Sequence, residues 1–284
     1  MMREGKGKLY ICPTPIGNLE DITLRVLRVL QEADVIAAED TRHSIKLLNH
    51  YDIQKPLTSY HEHNKGAKGN HLIEKLKAGE TIALVSDAGM PGISDPGADL
   101  IKLCIEHDME FEVLPGATAF TTALVASGLP TNHFAFEGFL DREKKNRKKR
   151  LEFLQRDDRT MIFYEAPHRL VASLKDIHEM LGNRNAVAAR ELTKRHEEYI
   201  RGTIEALITH FEEKPPKGEF VILVEGMSQE AMKAMEEEKW EQLSIKDHLH
   251  MYIDAGMNKK EAVKKVAKER GLGKREVYEE SIDL

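Results

Sequence analysis

TIALVSDAGMPGISDPG (81–97) runs a buried-type apolar strand straight into a loop, Ser86 to Gly97, whose twelve residues hold three Gly, two Pro and two Asp. Glycine lets a ligand approach the main chain closely, and proline removes entropy from the loop before anything binds. In a parallel α/β sheet, ligand sites form beyond the carboxyl ends of the strands, so a stiff, open loop at that position predicts one. Asp87 is available there to a cation or a hydroxyl. Asp95 before Pro96 also resembles a helix start, with Pro at the first helical position.

Outward from this loop, the first 128 residues alternate strand and helix. KLYIC (8–12), DVIAAE (34–39), TIALVS (81–86) and FEVLP (111–115) read as strands; ITLRVLRVLQEA (22–33), HLIEKLKAGE (71–80) and GADLIKLCIEHD (97–108) read as helices. That order predicts a parallel sheet with helices on both faces. Two further loops follow predicted strands. TPIGNLED (14–21) offers Pro15, Gly17 and Asn18, while its Asp21 could equally cap a helix beginning at Ile22. LPGATAFTTALVASG (114–128) offers Pro115, Gly116, Ala117, Thr118 and Ala119, with an N-cap at Thr118 as the structural alternative. With Ser86, Asp87, Ala88, Gly89, Pro91 and Gly92, these residues are expected to wall one pocket. Neither GxGxxG nor GxxxxGK[ST] occurs, which counts against dinucleotide and nucleoside-triphosphate enzymes.

SGLPTNHF (127–134) interrupts the pattern and sets the expected boundary between domains at 1–128 and 129–227. The second contains the strands FAFEGFL (134–140), TMIFYEA (160–166), NAVAARE (185–191) and EFVILVEG (219–226), with helices at 168–182 and 203–213. Residues 228–243 read as a linker, and 244–284 as three short helices in a helix-turn-helix-like module. Polar clusters mark several strand ends: Glu39, Asp40, Arg42 and His43 in one, YEAPHR (164–169) with Tyr164 and Glu165 in another, and Glu191, Lys194 and His196 in a third. Ionisable groups converging on one cleft are candidates for catalysis.

The composition is that of a globular chain, 41% apolar and 32% charged over 284 residues. No apolar run approaches the ~18 residues that span a bilayer. The start of the chain reads as a short basic stretch leading into a strand, not a signal peptide, so a cytoplasmic enzyme is expected. Cys12 and Cys104 have no disulfide or metal-ligand pattern and are expected to be buried; no metal is anticipated. Net charge is −6, yet 141–150 carries seven Lys/Arg against two acids, and 258–275 eight against two. Such runs neutralise phosphates or merely solvate a helix face. The candidate phosphate contacts are Lys144, Lys145, Arg147, Lys148, Lys149, Arg150, His168, Arg169, Lys259, Lys260, Lys264, Lys265 and Lys268.

TPIGNLED, AEDTR, SDAGMPGISDPG, PGATA, YEAPHR and ELTKRHEE, in this order and followed by a basic helical tail, resemble the tetrapyrrole-methylase-like family of S-adenosylmethionine enzymes. More narrowly, the chain resembles the branch of that family that methylates small-subunit ribosomal RNA. The resemblance implies a two-domain α/β fold with the cofactor in the cleft between the domains, a homodimer, and methylation of the ribose 2′-hydroxyl of a cytidine in the decoding region of 16S ribosomal RNA. Asp87 matches the family's GDP-like loop, whereas Ser86 replaces its first glycine. The first loop lacks the multi-glycine form common in enzymes acting on porphyrin-like substrates. S-adenosylmethionine brings its own activated methyl group, so the protein must align the acceptor and handle one proton. The candidates for that task are Glu191, Lys194, His196, Glu39 and Arg42. The competing readings are a methylase acting on a tetrapyrrole or cobalamin precursor, and a catalytically silent RNA-binding ribosome-assembly factor.

Overall fold

The computed structural model describes residues 7–241 and 243–282. The basic stretch at the extreme start, Gln242 of the linker and the final two residues of the tail lie outside the described residues. The chain divides into two compact units. One comprises the residues up to Glu152 together with Thr160–Glu225; the other comprises Phe153–Arg159 and the chain from Gly226 onward.

The first unit opens with β1 (Lys8–Ile11), α1 (Leu24–Glu32), β2 (Val35–Ala38), α2 (Thr41–His50), β3 (Leu57–Ser59), α3 (Lys65–Lys77), β4 (Ile82–Val85), α4 (Gly97–Glu106), β5 (Glu110–Val113) and α5 (Ala119–Ser127). All four strand pairings are parallel, in the order β3-β2-β4-β1-β5. Strands β2 and β4 are buried at every position, as their continuous apolar runs require when helices cover both faces. On one face Leu72 and Leu76 of α3 and Leu100 and Cys104 of α4 pack on Leu9, Ile11, Ile82 and Leu84. On the other, Val26 and Leu30 of α1 and Leu48 of α2 pack on Ile36, Ala38, Ala83 and Val85. Both cysteines are fully buried, and burial pushes the Cys12 thiol up to about 12 and that of Cys104 to about 11.

The chain continues through β6 (Phe134–Phe139), α6 (Lys144–Phe153), β7 (Thr160–Glu165), α7 (Leu170–Leu181), β8 (Asn185–Arg190), β9 (Glu198–Thr203), α8 (Ile204–Glu213) and β10 (Phe220–Val224). These strands form a second sheet in the order β6-β7-β10-β8-β9, parallel only between β6 and β7. A parallel sheet followed by a mixed one is the fold class expected from the sequence. Helix α5 lays Ala123 and Leu124 on Ile162, Val187 and Leu223 of the second sheet.

The second unit contains α9 (Gln229–Glu241), α10 (Ile245–Asp254), α11 (Lys259–Glu269) and α12 (Lys274–Glu279). Ala262, Val263, Val266 and Ala267 of α11 pack against Leu249 and Val277, and His248 is buried with its ring stacked on Trp240 at 3.7 Å. Caps fix the starts of α10 and α11: Ser244 accepts from Asp247 N and Asn258 from Glu261 N.

Several boundaries differ from expectation. Helix α1 begins at Leu24, and its cap is Thr23, whose hydroxyl accepts from Val26 N, not Asp21. Asp21 instead ends a short 3-10 turn. Helix α3 starts at Lys65, well before His71, because Leu72, Ile73 and Leu76 bury deeply enough to carry the Gly66–Gly69 stretch into the helix. The short edge strand β3 and the strand β9 were not anticipated; β9, EYIRGT, alternates no clear apolar face and is only half-buried throughout most of its length.

Candidate active site

The loops after β1 and β4 are neighbours because those strands pair. Thr14 N donates to Gly89 O at 2.9 Å and Gly89 N to Thr14 O at 3.0 Å, while the Thr14 hydroxyl donates to Ser86 O at 3.1 Å. Gly89 sits at φ +80°, where a Cβ would fall 3.2 Å from Ile16 Cγ2. Asp95 staples the far end of the loop. Its carboxylate accepts from Gly92 N at 2.8 Å and from Gly97 N at 2.7 Å, holding the start of α4. Burial raises the Asp95 carboxyl despite these bonds.

Around this frame lies a cavity of about 310 Å³, lined from the first sheet's strand ends by Glu39, residues 86–90 and 93–95, and Thr118 with Ala119, and from the second sheet by Phe139, Tyr164, Glu191, Leu192, Lys194 and Phe220. Its acids, Glu39, Asp87, Asp95, Glu165, Glu191 and Glu219, face Lys194 as the one cationic lining residue among the described residues. Such a wall suits a ligand that carries positive charge.

Glu39 follows directly on β2 and is half-buried. Burial, then the charges of Asp87, Asp95 and Asp40, push its carboxyl up to about 7. It has no hydrogen-bond partner among the described residues. Its neighbours are engaged: Asp87 accepts from Asp40 N at 3.0 Å, and Asp40 holds the Arg42 guanidinium at 2.7 Å, which keeps the Asp40 carboxyl at about 2. Glu191 is paired with Lys194 at 3.0 Å.

Three residues at this site hold left-handed backbone that side chains other than glycine rarely adopt: Ser94 (φ 67°), Glu191 (φ 50°) and Thr193 (φ 63°). Strain of this kind concentrates where a structure must hold functional groups in place. The 191–197 segment is fastened by Thr193, whose N–H donates to Glu197 at 2.6 Å and whose hydroxyl accepts from Asn18 N at 2.9 Å.

Of the catalytic candidates, Glu39, Glu191 and Lys194 meet in the cavity, while Arg42 and His196 are exposed and lie outside its lining. Of the cofactor candidates, Ser86, Asp87, Ala88, Gly89, Thr118, Ala119, Tyr164 and Glu165 line it; Pro15, Gly17, Asn18, Pro91, Gly92, Pro115, Gly116 and Ala117 are not brought into its lining. Gly17 is a packing residue: a Cβ there would fall 2.5 Å from Lys194 Cγ and 2.6 Å from Leu192 O. Gly116 likewise lies against the Pro13 ring. Glu165 is only 2% exposed and is held by Ala166 N, the Ser173 hydroxyl and Arg169. Thr118 stands at the N-cap position of α5 but makes no side-chain cap bond. Sequence reading missed Ile16, Met90, Ile93 and Leu192, apolar lining residues inside the quoted loops, and Phe139, which no quoted motif marks.

The model for the family described as Tetrapyrrole (Corrin/Porphyrin) Methylases matches residues 8–208. The chain belongs to the tetrapyrrole methylase family. Within the family, the ribosomal RNA small subunit methyltransferase I of Halalkalibacterium halodurans is 52% identical over 276 residues, 97% of this chain and 95% of its own length. The protein of the same name from Bacillus subtilis is 51% identical, over 96% and 93%. Uroporphyrin-III C-methyl transferase from Thermus thermophilus, solved in complex with S-adenyl homocysteine, superposes with a TM-score of 0.55 at 20% identity, covering 76% of this chain and 97% of that one. That likeness concerns the fold.

In this chain, Gly218 (φ +79°) faces the strained Glu191, and a Cβ would fall 2.5 Å from Glu191 Oε1. Gly218→Ala therefore combines a left-handed alanine with a displaced carboxylate. Its unfolding free energy in urea is expected to fall by about 1–2 kcal/mol.

Proposed function

We propose that this chain is a cytoplasmic S-adenosylmethionine-dependent enzyme that methylates the ribose 2′-hydroxyl of a cytidine in the decoding region of 16S ribosomal RNA, working as a homodimer. The observation that bears most weight is an acid-lined cavity holding one unpartnered, half-buried carboxylate, Glu39. The full-length likeness to ribosomal RNA small subunit methyltransferase I proteins supports the RNA acceptor.

S-adenosylmethionine, when bound, supplies a methyl group already activated by its positive sulfonium. The residues that would hold it are the backbone of Ser86–Gly89, Asp87, Thr118, Ala119 and Tyr164. The small side chains of Ala88, Gly89 and Ala119 leave space for a purine and a ribose, and the acids complement the ligand's cationic groups. Glu39 accepts the hydroxyl proton as the acceptor oxygen becomes nucleophilic. Lys194 keeps the Glu191 carboxylate paired, whereas Glu39 is half-buried in the same cavity and raised to about 7, which suits it to accept the proton.

In this reading the α/β segments 1–128 and 129–227 form the catalytic part, and 228–243 links it to an RNA-binding module at 244–284. Methylation of small ribosomal subunits from cells lacking the protein, with mapping of 2′-O-methyl groups, tests it. Absence of methyl incorporation by purified protein and S-adenosylmethionine sinks it.

The basic segments contribute unequally. Lys145 and Lys149 are exposed, as are His168 and the more loosely paired Lys144; Lys148 pairs with Glu179, and Arg150 with Glu137 at 2.6 Å. Arg147 is buried, and Arg169 donates to Leu140 O and Asp141 O, so neither is free to meet phosphate. On α11, Lys260, Lys264 and Lys268 recur every four residues on the exposed side, Lys265 lies over the Tyr252 ring, and Lys259 is half-buried. Replacing Lys260, Lys264 and Lys268 together by Ala is expected to reduce the slope of log affinity for RNA against log salt by roughly 2–3. Calorimetric affinity for S-adenosylhomocysteine should not change.

A further inference from the structure

Strand β6, FAFEGF, carries an irregularity that matters at the cavity. Phe136 pairs with Ile162 and Gly138 with Phe163, so Glu137 is an extra residue, and Phe139 then pairs with Tyr164. Side chains alternate along a strand. Without the bulge, Phe139 would point to the face opposite Phe136. With it, Phe136, Phe139 and Tyr164 share one face. Bulges next to active sites commonly re-aim a side chain in this way. The bend needs Gly138, whose φ is +65°.

The re-aimed Phe139 lines the cavity yet remains 54% exposed. Its ring meets Tyr164 edge-on at 5.5 Å and 61°, and Tyr164 in turn meets Phe136 at 5.0 Å and 73°. The orientation is thus braced from the side while the ring stays open to a ligand. Ile93, 36% exposed, and the left-handed Ser94 also belong to the lining, and Ser94 Oγ lies 3.5 Å from where a Gly138 Cβ would be. Single exposed apolar residues are ordinary on a protein surface. Phe139 differs in that a bulge, a left-handed glycine and an aromatic brace together place it on the wall of the reactive cavity.

We propose that Phe139 is the platform on which the base of the acceptor nucleotide stacks, drawn out of the RNA, so that its ribose hydroxyl is presented to Glu39. This rests on the RNA acceptor proposed above. RNA read in single-stranded form is held largely by stacking of unstacked bases on aromatic side chains. A phenyl face stacks on any base, so Phe139 supplies position rather than base identity.

The test is single-turnover methylation of small ribosomal subunits by wild type, Phe139→Leu and Phe139→Trp, with S-adenosylhomocysteine affinity measured on each. Phe139→Leu keeps apolar volume but has no π-face. It is expected to lose roughly 5- to 150-fold in kcat/KM, the span that removal of a base-stacking aromatic produces. Phe139→Trp should recover most of that loss, and cofactor affinity should be unchanged in both. Equal rates for wild type and Phe139→Leu overturn the inference while leaving the RNA reading intact. A parallel loss of S-adenosylhomocysteine affinity also overturns it, because the ring would then be packing the cofactor. A wild-type protein that methylates no ribosomal RNA removes the RNA reading itself, and the stacking platform with it.

Discussion

Glu39→Gln is expected to lower the single-turnover rate of methyl transfer by roughly 10²–10⁴-fold, the contribution of a positioned general base. Glutamine preserves the shape of the side chain, so binding of S-adenosylhomocysteine should survive. The pH dependence separates this role from simple packing. The Glu39 carboxyl is raised to about 7, by burial first and then by Asp87, Asp95 and Asp40. The base form therefore accumulates as pH rises through about 7, and the wild-type rate should climb over the same interval. In Glu39→Gln that climb should vanish. Stability should move in the opposite sense. A carboxyl whose folded pKa is raised adds stability fully present below its ordinary value of 4.5, and lost as pH rises through about 7. Glutamine removes that loss, so the variant should gain stability relative to wild type above pH ~7 and lose the gain near pH ~4. A variant that keeps its rate and its pH profile would move the proton to another group.

The fold was largely legible, for a physical reason. Short, β-branched apolar runs such as TIALVS and VIAA, alternating with longer amphipathic stretches, fit strands buried on both faces with the amphipathic stretches as covering helices. What was not legible depended on long-range pairing. Strand β9 is half-buried and gains its place from pairing with β8, register by register from Asn185–Thr203 to Arg190–Glu198. At the site, Glu39, Asp87 and Glu191 were visible because acids crowd strand ends beside glycine-rich loops. Gly17 and Gly116 were read as open backbone for a ligand, but each lies against another segment of chain. Their close packing looks the same in sequence as close approach to a cofactor. Phe139 was invisible, because alternation read through FAFEGF without the bulge sends it to the wrong face.

The basic run 141–150 shows most sharply how composition misleads. Helix α6 buries only Arg147 and Leu151, so apolar packing alone does little to fix it. The Arg147 guanidinium supplies what is missing. Its Nε and Nη2 donate to Asp176 Oδ2 at 2.7 and 2.6 Å, and its Nη1 donates to Asp141 O and Arg142 O. Both side chains of the pair are under a tenth exposed. Asp176→Ala leaves that guanidinium buried without its carboxylate, and the unfolding free energy is expected to fall by about 3–5 kcal/mol. Truncating both partners to apolar residues, as in Arg147→Met with Asp176→Leu, should restore most of the loss, since an apolar pair of similar volume carries no desolvation penalty. Urea denaturation of the two proteins provides the comparison. If Asp176→Ala costs less than about 1 kcal/mol, the ordinary range for an exposed pair, then the ion pair does not fix α6. If the apolar double variant is as unstable as Asp176→Ala, the backbone bonds from Arg147 to residues 141 and 142 matter more than the charge pair. Arg147→Met with Asp176→Leu removes one charge of each sign and leaves the exposed Lys145 and Lys149 in place, so a change in RNA affinity that tracks the stability of that double variant reports the placement of α6.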